Sequence, residues 1–262
     1  MMANAPLSGR RALVTGAAAG LGLAIAESLA AAGADLVLHD LEEPHAAAEA
    51  LRGRFPVEVA SVAADLRQPP AIEATMAGLL DRFGAIDILV NNAVVRHFAP
   101  LEAFPPARWD DALAVNLSAP FHLARLALPA MKARGYGRIV NLASIYSTRA
   151  AANRVDYMTT KAAILGLTRS IAVENARTGI TCNAISPGVL PTEAIESRIA
   201  GIARDNGRPH AEVETEYLTA RQPSGRFVAL DGVGAMVVFL CGPAGRDITG
   251  AILPIDGGWS AH

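Results

Sequence analysis

Tyr157 and Lys161 stand four positions apart. In a helix, residues i and i+4 share one face a single turn apart. Helix is the expectation here: from Val155 to Ala176 there is no proline, alanine is frequent, and apolar residues recur at Ala163, Leu167, Ile171 and Ala172. A free phenol, with a pKa near ~10, is a poor base at neutral pH. An ammonium within hydrogen-bonding range would favour the phenolate and lower that pKa. The pair would then be an acid/base able to pass a proton to or from an alcohol. Taken alone, the spacing reads more simply as a packing tyrosine and a solvated lysine, so its meaning depends on the elements that position it.

Those elements begin with a short apolar strand, Arg11 to Val14, followed by Thr15-Gly16-Ala17-Ala18-Ala19-Gly20-Leu21-Gly22 and a helix from Leu23 to Ala32. Strand, glycine turn and helix in that order build an anion site, because backbone N–H groups and the positive end of the helix dipole converge there. The spacing is neither the common G-x-G-x-x-G fingerprint nor a P-loop. A second strand, Asp35 to His39, leads to Asp40, an acid placed to accept hydrogen bonds from an adenosine ribose. Asp40 reads alternatively as an ordinary turn acid before Pro44. Its charge would repel a 2′-phosphate, and neither Ala17 to Ala19 nor Leu41 supplies a compensating cation. NAD is therefore expected over NADP.

Further strands are expected at Val57 to Ala63, Ile86 to Val90, Arg138 to Leu142, Ile180 to Ile185 and Ala251 to Ile255, with helices between them. Trp109 to Ala133 reads as one long helix containing Asn116. This alternation predicts a single α/β domain over residues 1–262, a doubly wound parallel sheet with helices on both faces and right-handed crossovers. Thr15, Asp40, Asp65, Asn91, Ser144 and Pro187 all fall at strand carboxyl ends, where ligands of such sheets bind. Residues 191–227 lack a sustained apolar pattern and are rich in charge, as expected of a partly helical lid.

The composition excludes several alternatives. Hydrophobic residues make up 52% and charged residues 18%, which argues against disorder. A net charge of -2 with no basic stripe argues against nucleic acid as a partner. Cys182 and Cys241 have no metal-type spacing and read as buried thiols in a reducing compartment. Arg10-Arg11 before an apolar stretch imitates an export signal, but cleavage there would destroy the glycine turn. No stretch is long and apolar enough to span a bilayer. A soluble cytoplasmic protein without a metal is the expectation.

Jointly, Thr15-Gly16-x-x-x-Gly20-x-Gly22, Asp65-Leu66, Asn91-Asn92-Ala93, Asn116, Ser144, Tyr157-x-x-x-Lys161 and Pro187-Gly188-x-x-x-Thr192 resemble the short-chain dehydrogenase/reductase family from about Leu7 to Trp259. The resemblance implies a catalytic set of Asn116, Ser144, Tyr157 and Lys161. Ser144 would hold the substrate oxygen, Lys161 would also bind the nicotinamide ribose, and Asn116 would hold a water linking Lys161 to solvent. It implies that Gly16 and Leu21 line the pyrophosphate, Asp40 takes the ribose and Asp65 and Leu66 the adenine. Asn92 and Ala93 would run along the cofactor, with Pro187, Val189 and Thr192 at the carboxamide. Val94 replaces the family's usual glycine and narrows this wall. Relatives are often tetramers packed through the two long helices.

The run from Arg96 to Pro105, with Trp259, is similar to the 3-hydroxybutyrate dehydrogenase subgroup, which binds a small carboxylate. Here Arg96 stands where glutamine is usual, Tyr146 where histidine is usual, and Arg154 where lysine is usual. Either both arginines clamp an anionic substrate, since arginine binds carboxylate bidentately, or both are surface residues. His97 reads as structural or solvated. The expected activity is NAD-dependent interconversion of a secondary alcohol and a ketone on a small, anionic substrate. The alternatives are a broad ketoreductase or sugar/polyol dehydrogenase of the same family and, more remotely, a non-catalytic cofactor-binding protein.

Overall fold

A computed structural model describes residues 5–261. Seven parallel strands form one sheet in the order β3-β2-β1-β4-β5-β6-β7. They are β1 (Arg11–Thr15), β2 (Asp35–Asp40), β3 (Val59–Ala63), β4 (Ile88–Asn91), β5 (Gly137–Leu142), β6 (Ile180–Pro187) and β7 (Ile252–Ile255). Central strands such as β4 and β5 are buried along their whole length, as a sheet covered on both faces requires. One core layer packs α1 (Gly20–Ala31), α2 (His45–Arg54) and α9 (Leu230–Cys241) against the sheet. The opposite layer contains α3 (Pro69–Phe83), α5 (Ala119–Arg134) and α6 (Val155–Asn175). This is the doubly wound α/β architecture that the alternation predicts. The order of strand addition reverses between β1 and β4, where a crevice opens at the strand carboxyl ends.

One expectation is refined and one corrected. The long helix is unbroken from 106 to 134 but is not α-helical throughout: α4 (Pro106–Leu113) passes into α5 through a π-helical turn, Ala114–Ser118, with Asn116 buried at its centre. A π-turn adds a residue to the helical circuit and shifts the side chain it carries, which is why such turns concentrate at working sites. The segment after β6 also has an apolar pattern. Helices α7 (Glu193–Asp205) and α8 (His210–Thr219) bury Ile199, Ala203, Val213, Tyr217 and Leu218 with Val189 in a small core of their own. Its large residues are widely spaced among charges, which hides the periodicity. Buried Gln222 anchors the return of this segment, accepting from the Val189 N–H at 3.0 Å and donating to the Arg226 carbonyl.

Candidate active site

The first wall of the crevice is the turn after β1. Gly16 has φ +65°, a conformation that favours glycine. A Cβ on Gly22 would lie 2.0 Å from the Gly16 carbonyl oxygen, so only glycine lets the start of α1 close against the turn. Thr15 clamps this turn to the end of β4: its Oγ1 accepts from the N–H groups of Asn92 and Ala93, each at 3.0 Å. Asn92 Nδ2 donates to the Thr15 and Gly16 carbonyls, each at 2.9 Å. The side chain of Asn92 therefore holds the turn, leaving its backbone to face the crevice. No side chain caps the start of α1, so its first N–H groups remain available to a phosphate. These features fit a dinucleotide pyrophosphate.

At the far end, Asp40 accepts from the N–H groups of Ala18 at 3.0 Å and Leu41 at 2.8 Å. Asp65 forms a bidentate pair with Arg67, which holds its carboxyl below the usual range, and Leu66 is buried beside it. The crevice, about 870 Å³, runs from these residues past Gly16, Leu21, Asn92, Ala93 and Val94 to Ser144, Tyr146, Tyr157 and Lys161. Pro187, Val189 and Thr192 line it opposite.

Tyr157 and Lys161 both face this crevice from α6. Their relationship differs from the one expected. The lysine is buried and donates to the Leu142 carbonyl, with its Nζ 5.7 Å from the centroid of the tyrosine ring. Burial lowers its pKa to about 8. Burial likewise raises the pKa of Tyr157, opposed by a hydrogen bond with the Ser144 hydroxyl and by the charges of Arg96 and Arg154. On balance burial keeps the phenol protonated, and Ser144 and the two arginines, with no hydrogen bond from the lysine, only lessen that effect. Ser144 also accepts from the Tyr146 N–H at 3.2 Å, while Ser147 Oγ accepts from the Ser144 N–H at 3.2 Å, fixing the turn after β5.

The side chain of Asn116 is held by protein partners. Its Oδ1 accepts from the Val95 N–H at 2.9 Å, and its Nδ2 donates to the Val95 carbonyl at 2.8 Å and to Thr160 Oγ1 at 3.2 Å. The π-turn thereby pins the loop that carries Arg96 to the helix that carries Tyr157. Asp156, which sequence reading passed over, fixes the same loop by accepting from the His97 N–H at 2.9 Å. An acid next to the reactive tyrosine, in the first turn of the expected helix, was the signal available. His97 packs edge-on against Phe104 and also lines the crevice. Arg154 stacks over Phe98 and Tyr146, and Trp259 meets Tyr146 at 5.6 Å. Glu196, His210 and Glu214 bring ligand atoms within 4.8 Å of one another, outside the crevice lining.

A parallel sheet with a phosphate-type turn at its switch point and a tyrosine–serine–lysine cluster beside it defines a nucleotide-dependent oxidoreductase fold and site. A family model described as enoyl-(acyl carrier protein) reductase matches residues 16–260. The D-beta-hydroxybutyrate dehydrogenase of Cupriavidus necator is 42% identical over 257 residues, covering 98% of this chain and 100% of that protein. Its Rhizobium meliloti counterpart is 39% identical, over 97% of this chain and 99% of the other. The crystal structure of L-sorbose reductase from Gluconobacter frateurii, complexed with NADPH and L-sorbose, superposes with a TM-score of 0.93 at 30% identity, covering 99% of this chain and 100% of that one. The chain belongs to the short-chain dehydrogenase/reductase family and is an oxidoreductase acting on CH–OH donors. No helix among the described residues is long and apolar enough to cross a membrane.

Proposed function

We propose that the protein is an NAD-dependent dehydrogenase that interconverts the secondary alcohol of a small hydroxy acid and the corresponding ketone. One observation carries the substrate class: Arg96 and Arg154 flank Tyr157, act electrostatically on it, and have no carboxylate partner among the described residues. An unpaired guanidinium beside the reacting centre suits a carboxylate. The hydroxybutyrate dehydrogenases among the relatives support the same class.

The preference for NAD rests on Asp40, whose carboxylate faces the ribose end of the crevice. NADPH in the sorbose reductase structure belongs to that protein. The nicotinamide, when bound, supplies the hydride carrier. In our reading Tyr157 takes the proton of the substrate hydroxyl, and Ser144 hydrogen-bonds the oxygen where charge develops. Lys161 binds the nicotinamide ribose, and Asn116 acts by holding the Arg96 loop and α6 together. Gly16, Leu21, Asn92 and Ala93 line the pyrophosphate side, Asp65 and Leu66 the adenine, and Pro187, Val189 and Thr192 the carboxamide. Residues 191–227 form a lid over a single 1–262 domain, and the chain works in the cytoplasm as a homo-oligomer, a tetramer by family resemblance.

The test is absorbance of NADH during incubation with hydroxy acids and with neutral alcohols, using NAD and NADP in parallel. Turnover of hydroxy acids with NAD, reduced about 10²–10⁴-fold in Tyr157→Phe with cofactor binding retained, is expected. Turnover confined to neutral polyols, indifferent to Arg96→Ala and Arg154→Ala, would favour the sugar/polyol reading that the sorbose reductase likeness supports.

A further inference from the structure

The substrate end of the crevice has more positive charge than one carboxylate accounts for. Besides Arg96 and Arg154, Arg221 lines it from the far side, just after α8. Its guanidinium lies 3.7 Å over the Tyr217 ring and donates to the Tyr217 carbonyl at 2.7 Å. No carboxylate partners it among the described residues. Arg11, Arg67, Arg108, Arg125 and Arg208 pair with Asp or Glu, whereas Arg138, like Arg221, donates to backbone carbonyls, but outside the crevice lining.

The acids that line the crevice, Asp40, Asp65 and Asp111, are grouped with Arg67 and Arg108 at its other end or at the ribose position. Near the reacting centre Asp156 is buried behind the loop and bonded to the His97 N–H, and Asp256, buried against Gly188, accepts from the N–H groups of Gly258 and Ser260. Both carboxylates are thus engaged by backbone N–H groups, and the three guanidinium groups, half-buried at Arg154 and Arg221 and exposed at Arg96, stand without an acid partner among the described residues and are available to an anion.

The arginines occupy two positions. Arg154 stacks over Phe98 and Tyr146 beside the Arg96 loop, whereas Arg221 stacks over Tyr217 in the lid. Trp259 links the two, meeting Tyr146 on one side and packing on the lid core that contains Tyr217 on the other. Stacking on Tyr217 fixes the plane of the Arg221 guanidinium, so less entropy is lost when it binds an anion.

Resting on the hydroxy-acid reading above, we propose that the substrate carries a second anionic group, held by Arg221 at the end of its chain distal to the reacting hydroxyl. It is a short hydroxy acid with a terminal carboxylate or phosphate, the first carboxylate lying between Arg96 and Arg154. The lid supplies this contact, so its closure selects for chain length and for the second charge.

The test compares kcat/KM for 3-hydroxyglutarate, its half-ester and a 3-hydroxy acid ending in a phosphate ester. Wild-type protein is expected to prefer a dianion over the half-ester by about 10–100-fold, the range for a hydrogen bond to a charged group. The better of the two dianions identifies the distal group. Arg221→Gln should bring the ratio close to one, and Arg221→Lys should retain part of it. An unchanged melting temperature in Arg221→Lys guards against a folding artefact. A wild-type ratio near one, or a ratio that survives Arg221→Gln, would overturn the proposal. In that event, half-ester turnover that still depends on Arg96 and Arg154 keeps the hydroxy-acid reading; indifference to both removes it as well.

Discussion

Lys161 offers a prediction in which the sign is as informative as the size. The perturbation is Lys161→Met, which keeps an unbranched chain of similar length and removes the charge. In the folded protein burial lowers the lysine from 10.5 to about 8. That difference corresponds to about 3 kcal/mol of destabilisation at neutral pH, at about 1.4 kcal/mol per tenfold change in proton affinity. Below a pH of about 8 both folded and unfolded chains hold the proton, and the whole penalty is present. Between about 8 and 10.5 only the unfolded chain holds it, so this contribution to stability rises with pH. Above the unfolded value it is fully relieved.

Cys182 and Cys241 act in the opposite direction. Burial raises each to about 12, so their ionisation in the unfolded chain lowers stability as pH rises past about 8.5. Wild type and Lys161→Met share that loss, and the difference between them isolates the lysine. Losing the hydrogen bond to the Leu142 carbonyl costs about 1 kcal/mol, but that cost does not vary with pH. The assay is urea unfolding of cofactor-free protein, with equal m-values required for comparison. From about pH 7 to about pH 9.5, wild-type stability should gain about 2 kcal/mol relative to Lys161→Met. Parallel curves would refute the reasoning, because they would mean that a counter-charge balances the ammonium in the fold.

Three further outcomes follow from the geometry. Gly22→Ala would force a Cβ to within 2.0 Å of the Gly16 carbonyl oxygen; calorimetric titration should show NAD affinity reduced by at least about tenfold, with a lower melting temperature. Asp40→Ser removes the charge that disfavours a 2′-phosphate, and the ratio of kcat/KM for NAD over NADP should fall by about tenfold or more. Asp156→Asn weakens the anchor of the Arg96 loop at the His97 N–H; KM for hydroxy acids should rise several-fold while NAD affinity, measured by titration, stays within about twofold.

The parts of this molecule legible in its sequence are those whose physics is local. A glycine turn, a proline-started helix such as α3 and an i, i+4 pair each need only a few neighbouring residues, and the glycine turn and the pair both face the crevice at the strand carboxyl ends. The π-turn at Asn116 was not legible, because its cause lies elsewhere in the chain: Val95 and Thr160 hold the asparagine side chain from two other elements. The lysine misled for a related reason. Spacing fixes which face a side chain occupies but not which acceptor it meets, and a strand-end carbonyl at Leu142 lies within its reach. Charge was the least legible property. Arg96 and Arg154 read equally as an anion clamp or as surface residues, and Arg221 had no signal of its own; only their arrival at one end of one crevice, apart from its lining carboxylates, gives the three a shared meaning. Substrate class is therefore set by long-range placement, while the proton-transfer machinery is written in short motifs. The same fold can then keep its chemistry while surface positions around the lid exchange one substrate for another.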